Sequence, residues 1–163
     1  CCFKETRFDF SNCKEFADRI VCDNPKYVTK LRRNVSEHTV LPKGYHMFCA
    51  LLSPTGHQDF HFARRFELKD LKKTDINTLL ERSPEPARSQ FINLLQKTKA
   101  PNYIWLHQRG WSKGGPELHD ASNALITNIR KCDMKYDQLN YNVMCSFFKA
   151  KTRKSTVTEI HDV

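Results

Sequence analysis

Apolar positions recur along this chain with two periods, and the alternation between them predicts its elements. Cys13, Phe16, Ala17 and Ile20 fall at i, i+3, i+4 and i+7, the spacing of a helix with one face turned to a core. Asn12 before them and Glu15 three residues later form a capping-box pattern, so the helix begins at Cys13; Asp23-Asn24-Pro25 ends it. Tyr45 to Leu52 and Asp59 to Leu68 read as strands, and Ser53-Pro54-Thr55-Gly56 between them as a turn, which predicts an antiparallel hairpin. Thr6 to Phe10 alternates like a further short strand, and Lys30-Leu31-Arg32-Arg33 reads as a connection or a short helix.

From Glu67 to Lys99 the composition turns helical, with segments around Leu68–Leu71 and Ile76–Leu80 and a third from Ala87 to Lys97 striped by Phe91, Leu94 and Leu95. Tyr103 to Leu106 is a strand, Gln108 to Pro116 a glycine-rich loop, Asp120 to Arg130 a short helix and Asn142 to Phe148 a closing strand, after which the polar tail from Lys149 frays. These elements predict an α+β fold, an antiparallel sheet with the Cys13 helix packed against it and helical insertions at one side. Residues 1–150 make one domain and 151–163 a basic tail.

Charge and cysteine content narrow the setting. The chain has 27 basic and 18 acidic residues and a formal net charge of +9, spread along its length, which suits an anionic partner without naming one. No run approaches the roughly 20 apolar residues that span a bilayer. Seven cysteines, an odd number with no C-x-x-C pair, predict mostly free thiols and a reducing location, the cytoplasm or a host cell's cytoplasm, although Asn34-Val35-Ser36 is a formal glycosylation sequon. The start at Cys1-Cys2 fits a piece trimmed or released from something longer.

The candidate chemistry centres on Cys13. A helix N-terminus offers free N–H groups and the positive end of the dipole, which favour a thiolate. His46 opens the next apolar strand, and His61 lies between Phe60 and Phe62 on the returning one. Asn12-Cys13 with Phe16, then His46, then Phe60-His61-Phe62 resembles the papain-like amidases and endopeptidases of the NlpC class. The resemblance implies Cys13 as nucleophile, His46 as general base and later acid, and His61 as the group orienting His46. It also implies a thiol hydrolase, of viral or bacterial type, acting on an amide, isopeptide or thioester bond of a protein or peptide, without a cofactor. Asn12 to Phe16 is also similar to the lecithin retinol acyltransferase relatives, which place histidine before cysteine, an order this chain does not have. Asp59 to Arg64, Trp111 to Gly115 and Tyr141 to Phe148 resemble a set of bacterial and viral proteins with a Tyr-His-Phe-Tyr-Arg strand and a Trp-Ser-His-Lys loop. Here Ala63 replaces the second tyrosine, and no histidine separates Ser112 from Lys113.

Trp111 and Lys113, in the glycine-rich loop, are the candidate substrate-binding residues. Each choice has a plainer reading: a buried Cys13, a surface His46, a His61 packed among phenylalanines, a Trp111 that anchors a core. A zinc site from Cys13 or Cys22 with His46 and His61 lacks finger-like spacing, so no metal is expected. The alternative to the hydrolase is an inactive basic binding protein for RNA or an acidic protein, or a viral structural protein.

Overall fold

Asn12 caps the first helix as expected: its Oδ1 accepts the Glu15 N–H at 3.1 Å, and α1 runs Cys13–Asp23. The computed structural model describes residues 11–55, 58–97, 99, 101–110 and 114–151, so the predicted strand at Thr6–Phe10 lies outside the described residues. The fold is α+β. Among the described residues three α-helices and a 3-10 turn at Leu68–Asp70 accompany a five-stranded antiparallel sheet of order β1-β7-β2-β3-β4 and a separate two-stranded ribbon, with β1 Val28–Lys30, β2 Tyr45–Ser53, β3 Asp59–Glu67, β4 Tyr103–His107, β5 Lys135–Tyr136, β6 Leu139–Asn140 and β7 Val143–Lys151. The helices α2 Lys73–Arg82 and α3 Ala87–Gln96 form the expected insertion, between β3 and β4.

The described residues group into two compact units, one holding those up to Phe62 and from Met134 onward, the other Ala63 to Asp133. In the first unit, α1 turns Phe16, Ala17 and Ile20 inward. Phe16 meets Phe60 and Phe62 of β3 at centroid distances of 5.4 and 5.9 Å, and Phe48 of β2 stacks on Phe148 of β7 at 4.9 Å. Because side chains alternate along a strand, these rings assign Phe48, Phe60, Phe62 and Phe148 to the sheet face that α1 covers.

A covalent bond fixes α1 there. Cys13, its first residue, is disulfide-bonded to Cys145 of β7, 132 positions away, with the two Cα atoms 4.9 Å apart. Ala50 pairs with Ser146 but Leu51 with Met144, so Cys145 is the extra residue of a β-bulge. A bulge re-aims the side chain it carries, and this one lets a residue that would otherwise follow strict alternation meet the helix. Cys22 is disulfide-bonded as well, while Cys49 and Cys132 are free thiols. The expectation of mostly free thiols therefore fails for three of these five cysteines; for Cys13 and Cys145 the reason is that the fold brings together residues that spacing keeps apart.

In the second unit, Phe66, Leu71, Leu79, Phe91, Leu94, Ile104, Leu106 and Leu118 form the core. The expected helix from Asp120 to Arg130 is not formed. Buried Asp120 spreads its carboxylate over the backbone instead: Oδ1 accepts from Ser122 N–H at 2.9 Å and Ala124 N–H at 3.0 Å, and Oδ2 from Asp133 N–H at 3.0 Å. These bonds compete with a helical ladder, and Asn123 takes a φ of 63° within the resulting turn. The tail expected to fray from Lys149 is strand as far as Lys151, where the Lys151 N–H donates to the Tyr27 carbonyl at 3.0 Å.

Two stability effects are expected. The Cys13→Ala/Cys145→Ala double variant should lose about 2–5 kcal/mol of unfolding free energy, since a loop of this length carries one of the larger chain-entropy terms; urea unfolding under non-reducing conditions measures it. Asp120→Ala should lose about 1–3 kcal/mol, as three part-buried hydrogen bonds lose their charged acceptor, with faster hydrogen exchange at Ala124 and Asp133.

Candidate functional site

Cys13, His46 and His61 all belong to the first unit, and the structure does not assemble them into a triad. The Cys13 sulfur is spent in the bond to Cys145 and is not a thiol. His46 pairs across the sheet with Ala150, whereas Cys145 lies at the Ala50/Leu51 bulge. Five residues of β7 separate the two positions, about 16 Å at 3.3 Å per residue, several times the reach of a proton-transferring hydrogen bond. His46 shares the α1-covered face with Phe48, the ring centroids 6.4 Å apart. His61 alternates with Phe60 and Phe62 and so points to the opposite face, where it packs against Tyr141 at 4.9 Å. A residue on that face cannot orient His46.

His61 lies beside a hydrogen-bonded pair, Tyr141 and Asp59. The Tyr141 hydroxyl donates to Asp59 Oδ2 at 2.7 Å, and Asp59 shares the face of His61 two residues on. Burial, followed by the Asp59 carboxylate, raises the Tyr141 phenol well above its usual range, so it stays a neutral donor. Trp111 and Lys113, the expected substrate contacts, lie outside the described residues. Among the described residues no group of three or more His, Cys, Asp or Glu is arranged to hold a metal ion, so the zinc alternative has no assembled site there.

The topology creates two constellations that linear reading passed over. In the second unit, Arg109 forks onto Glu117, Nε to Oε2 at 3.1 Å and Nη2 to Oε1 at 2.9 Å, while His119 Nε2 stands 3.8 Å from Glu117 Oε2. Buried His107 shares a hydrogen bond of 2.8 Å with the His119 carbonyl; a carbonyl only accepts, so His107 Nε2 carries the proton. Burial lowers the pKa of both histidines against the pull of Glu117, and Arg109 adds to the lowering. His119 Nδ1 is buried without a hydrogen-bond partner among the described residues. The signal was the alternation Glu117-Leu118-His119 around buried Leu118.

The other constellation is a basic margin of the first unit. The β1–β7 register sets Thr29 opposite Lys149 and Val28 opposite Ala150, and Tyr45 of β2 lies opposite Lys151. Lys149 Nζ sits over the Tyr45 ring at 5.1 Å. Thr29, Lys149 and Lys151 thus share the face away from α1, flanked by exposed Lys26, Arg32 and Arg33 and by Tyr27, 48% exposed. Residues 24–36 contain no acidic side chain between exposed Asp23 and buried Glu37, and Asp18 of α1 lies 3.3 Å from Lys30 Nζ. The local carboxylate pairs with lysine alone, and Lys14 and Lys30 hold it below the usual range.

Comparison with family models, with curated proteins and with solved structures gave no match to this chain.

The buried histidines make stability depend on pH. A His107 pKa below the unfolded value near 6.5 means that the unfolded chain takes up protons first, so its contribution is complete above about pH 6.5 and is lost as pH falls toward the folded pKa, at up to about 1.4 kcal/mol per pH unit. Urea midpoints at pH 7.5 and 5.5 should show this loss. His107→Leu should lower stability at pH 7.5 yet flatten the slope, even with His119, Glu117, Arg109 and Asp120 in place around it.

Proposed function

We propose that this chain is a non-enzymatic, disulfide-stapled binding module whose basic margin receives an acidic protein partner. The observation that carries the reading is the β1–β7 register, which gathers Lys149 and Lys151 beside the acid-free stretch 24–36. A cluster of one sign on an exposed face attracts opposite charge and steers its approach. The oxidised state of Cys13 and its separation from His46 and His61 support binding over thiol hydrolysis. On this reading the likeness to the NlpC class is one of element order, without that class's chemistry.

Disulfide bonds at Cys13, Cys22 and Cys145 support an oxidising compartment in place of the cytoplasm, because such bonds persist where thiols are not kept reduced. They also favour an acidic protein over RNA. Tyr27 is the one strongly exposed aromatic of the margin, whereas single-stranded nucleic acid is held by several stacking rings.

Fluorescence anisotropy with a labelled poly-glutamate peptide tests the reading. Binding should weaken several-fold between about 50 and about 200 mM salt. Lys149→Glu/Lys151→Glu and Arg32→Glu/Arg33→Glu should each weaken it roughly ten-fold, the effect of about 1.4 kcal/mol, while Lys69→Glu in the other unit leaves it unchanged. Charge reversals that leave binding intact would sink the proposal, and tighter binding to a single-stranded RNA of equal charge would replace the acidic protein with nucleic acid. Alkylation of the native protein should leave Cys13 unmodified; its rapid labelling without reductant would restore the hydrolase.

A further inference from the structure

We infer that Asn34 is an N-glycosylation site. Asn34-Val35-Ser36 has the acceptor sequence, with a residue other than proline in the middle. In the fold, the Val35 N–H donates to the Arg32 carbonyl at 3.0 Å, closing a turn over Arg32-Arg33-Asn34-Val35 that presents Asn34 to solvent. No hydrogen bond among the described residues ties the Asn34 carboxamide down, and Arg33, Asn34 and Ser36 are all exposed. A bulky saccharide on Nδ2 would therefore displace none of the packing described above. Ser36 Oγ accepts from the His38 N–H at 3.1 Å, which leaves its own hydroxyl proton free.

The second, independent support is redox chemistry. A sequon alone is common in proteins that never meet the glycosylating machinery. This one sits in a chain whose Cys13–Cys145 bond joins residues 132 positions apart and whose Cys22 is also oxidised. Stable disulfides of this kind form along the secretory route, where lipid-linked oligosaccharide is the donor. The reaction balances without an oxidant or reductant. The donor's sugar C1–O bond to pyrophosphate breaks, a C1–N bond to Asn34 Nδ2 forms, Nδ2 gives up one proton, and the lipid pyrophosphate leaves. The inference rests on the disulfides and the exposed turn, and it stands whether or not the basic margin binds an acidic protein.

The chain, directed into the secretory pathway of a cultured animal cell by a cleavable signal sequence, is the test. Intact mass and peptide mapping are read on secreted and cell-retained material alike, since transfer precedes folding and a retention defect does not hide it. The expected result is a glycan-sized mass increase that peptide N-glycosidase removes, leaving aspartate at position 34. Asn34→Gln and Ser36→Ala should abolish the increase and Ser36→Thr should keep it. Chains with the Cys13–Cys145 bond formed and Asn34 unmodified would overturn the inference, as would chains that traverse the pathway with Cys13 and Cys145 reduced.

Discussion

The bond between Cys13 and Cys145 decides how the first unit is built and how its chemistry is read. It ties the opening turn of α1 to the bulge of β7, and from that point the helix lays Phe16 against Phe60 and Phe62. The features that suggest a catalytic cysteine are the same ones that favour this bond. A helix N-terminus raises the thiolate fraction, and the thiolate is the species that attacks a disulfide during exchange. A cysteine capped by Asn12 is thus primed for oxidation as well as for catalysis. What separates the outcomes is the partner that the fold supplies, another sulfur at 4.9 Å between Cα atoms rather than an imidazole.

The elements readable from the sequence were those whose signal is local. The Asn12 cap, the β2–β3 hairpin, the stripe of α3 and the strand at Tyr103 depend on residues within a few positions of each other, and all formed. The Cys145 pairing depends on a bulge 132 positions away, which no periodicity announces. Val28–Lys30 escaped notice because it buries only its first residue. The opposed faces of His46 and His61 were within reach, by contrast: Phe60 and Phe62 alternate with His61, while Phe48 shares parity with His46. If the phenylalanines pack together, the two histidines must part. The misread helix at Asp120 also carried its own warning, because Asp120, Ser122 and Asn123 are residues whose side chains bond to local backbone and break helical ladders.

Net charge behaved in the same way. Spread through the sequence, the basic residues carried no address, and only the antiparallel return of β7 past β1 brought Lys149 and Lys151 alongside Lys26, Arg32 and Arg33. A rival explanation for lysines in such a region is edge protection, since a charged edge strand resists pairing with other chains. It accounts for Lys30, which lies on the edge strand itself. It does not account for Lys149 and Lys151, because β7 lies between β1 and β2, or for Arg32 and Arg33, which follow the strand in a turn. Edge protection also requires no exclusion of carboxylates, and mixed charges would blunt an edge as well. Residues 24–36, between Asp23 and Glu37, carry no acid of their own, and the Asp18 contact to Lys30 lies on the α1 side, so that carboxylate leaves the positive charge of the far face uncompensated.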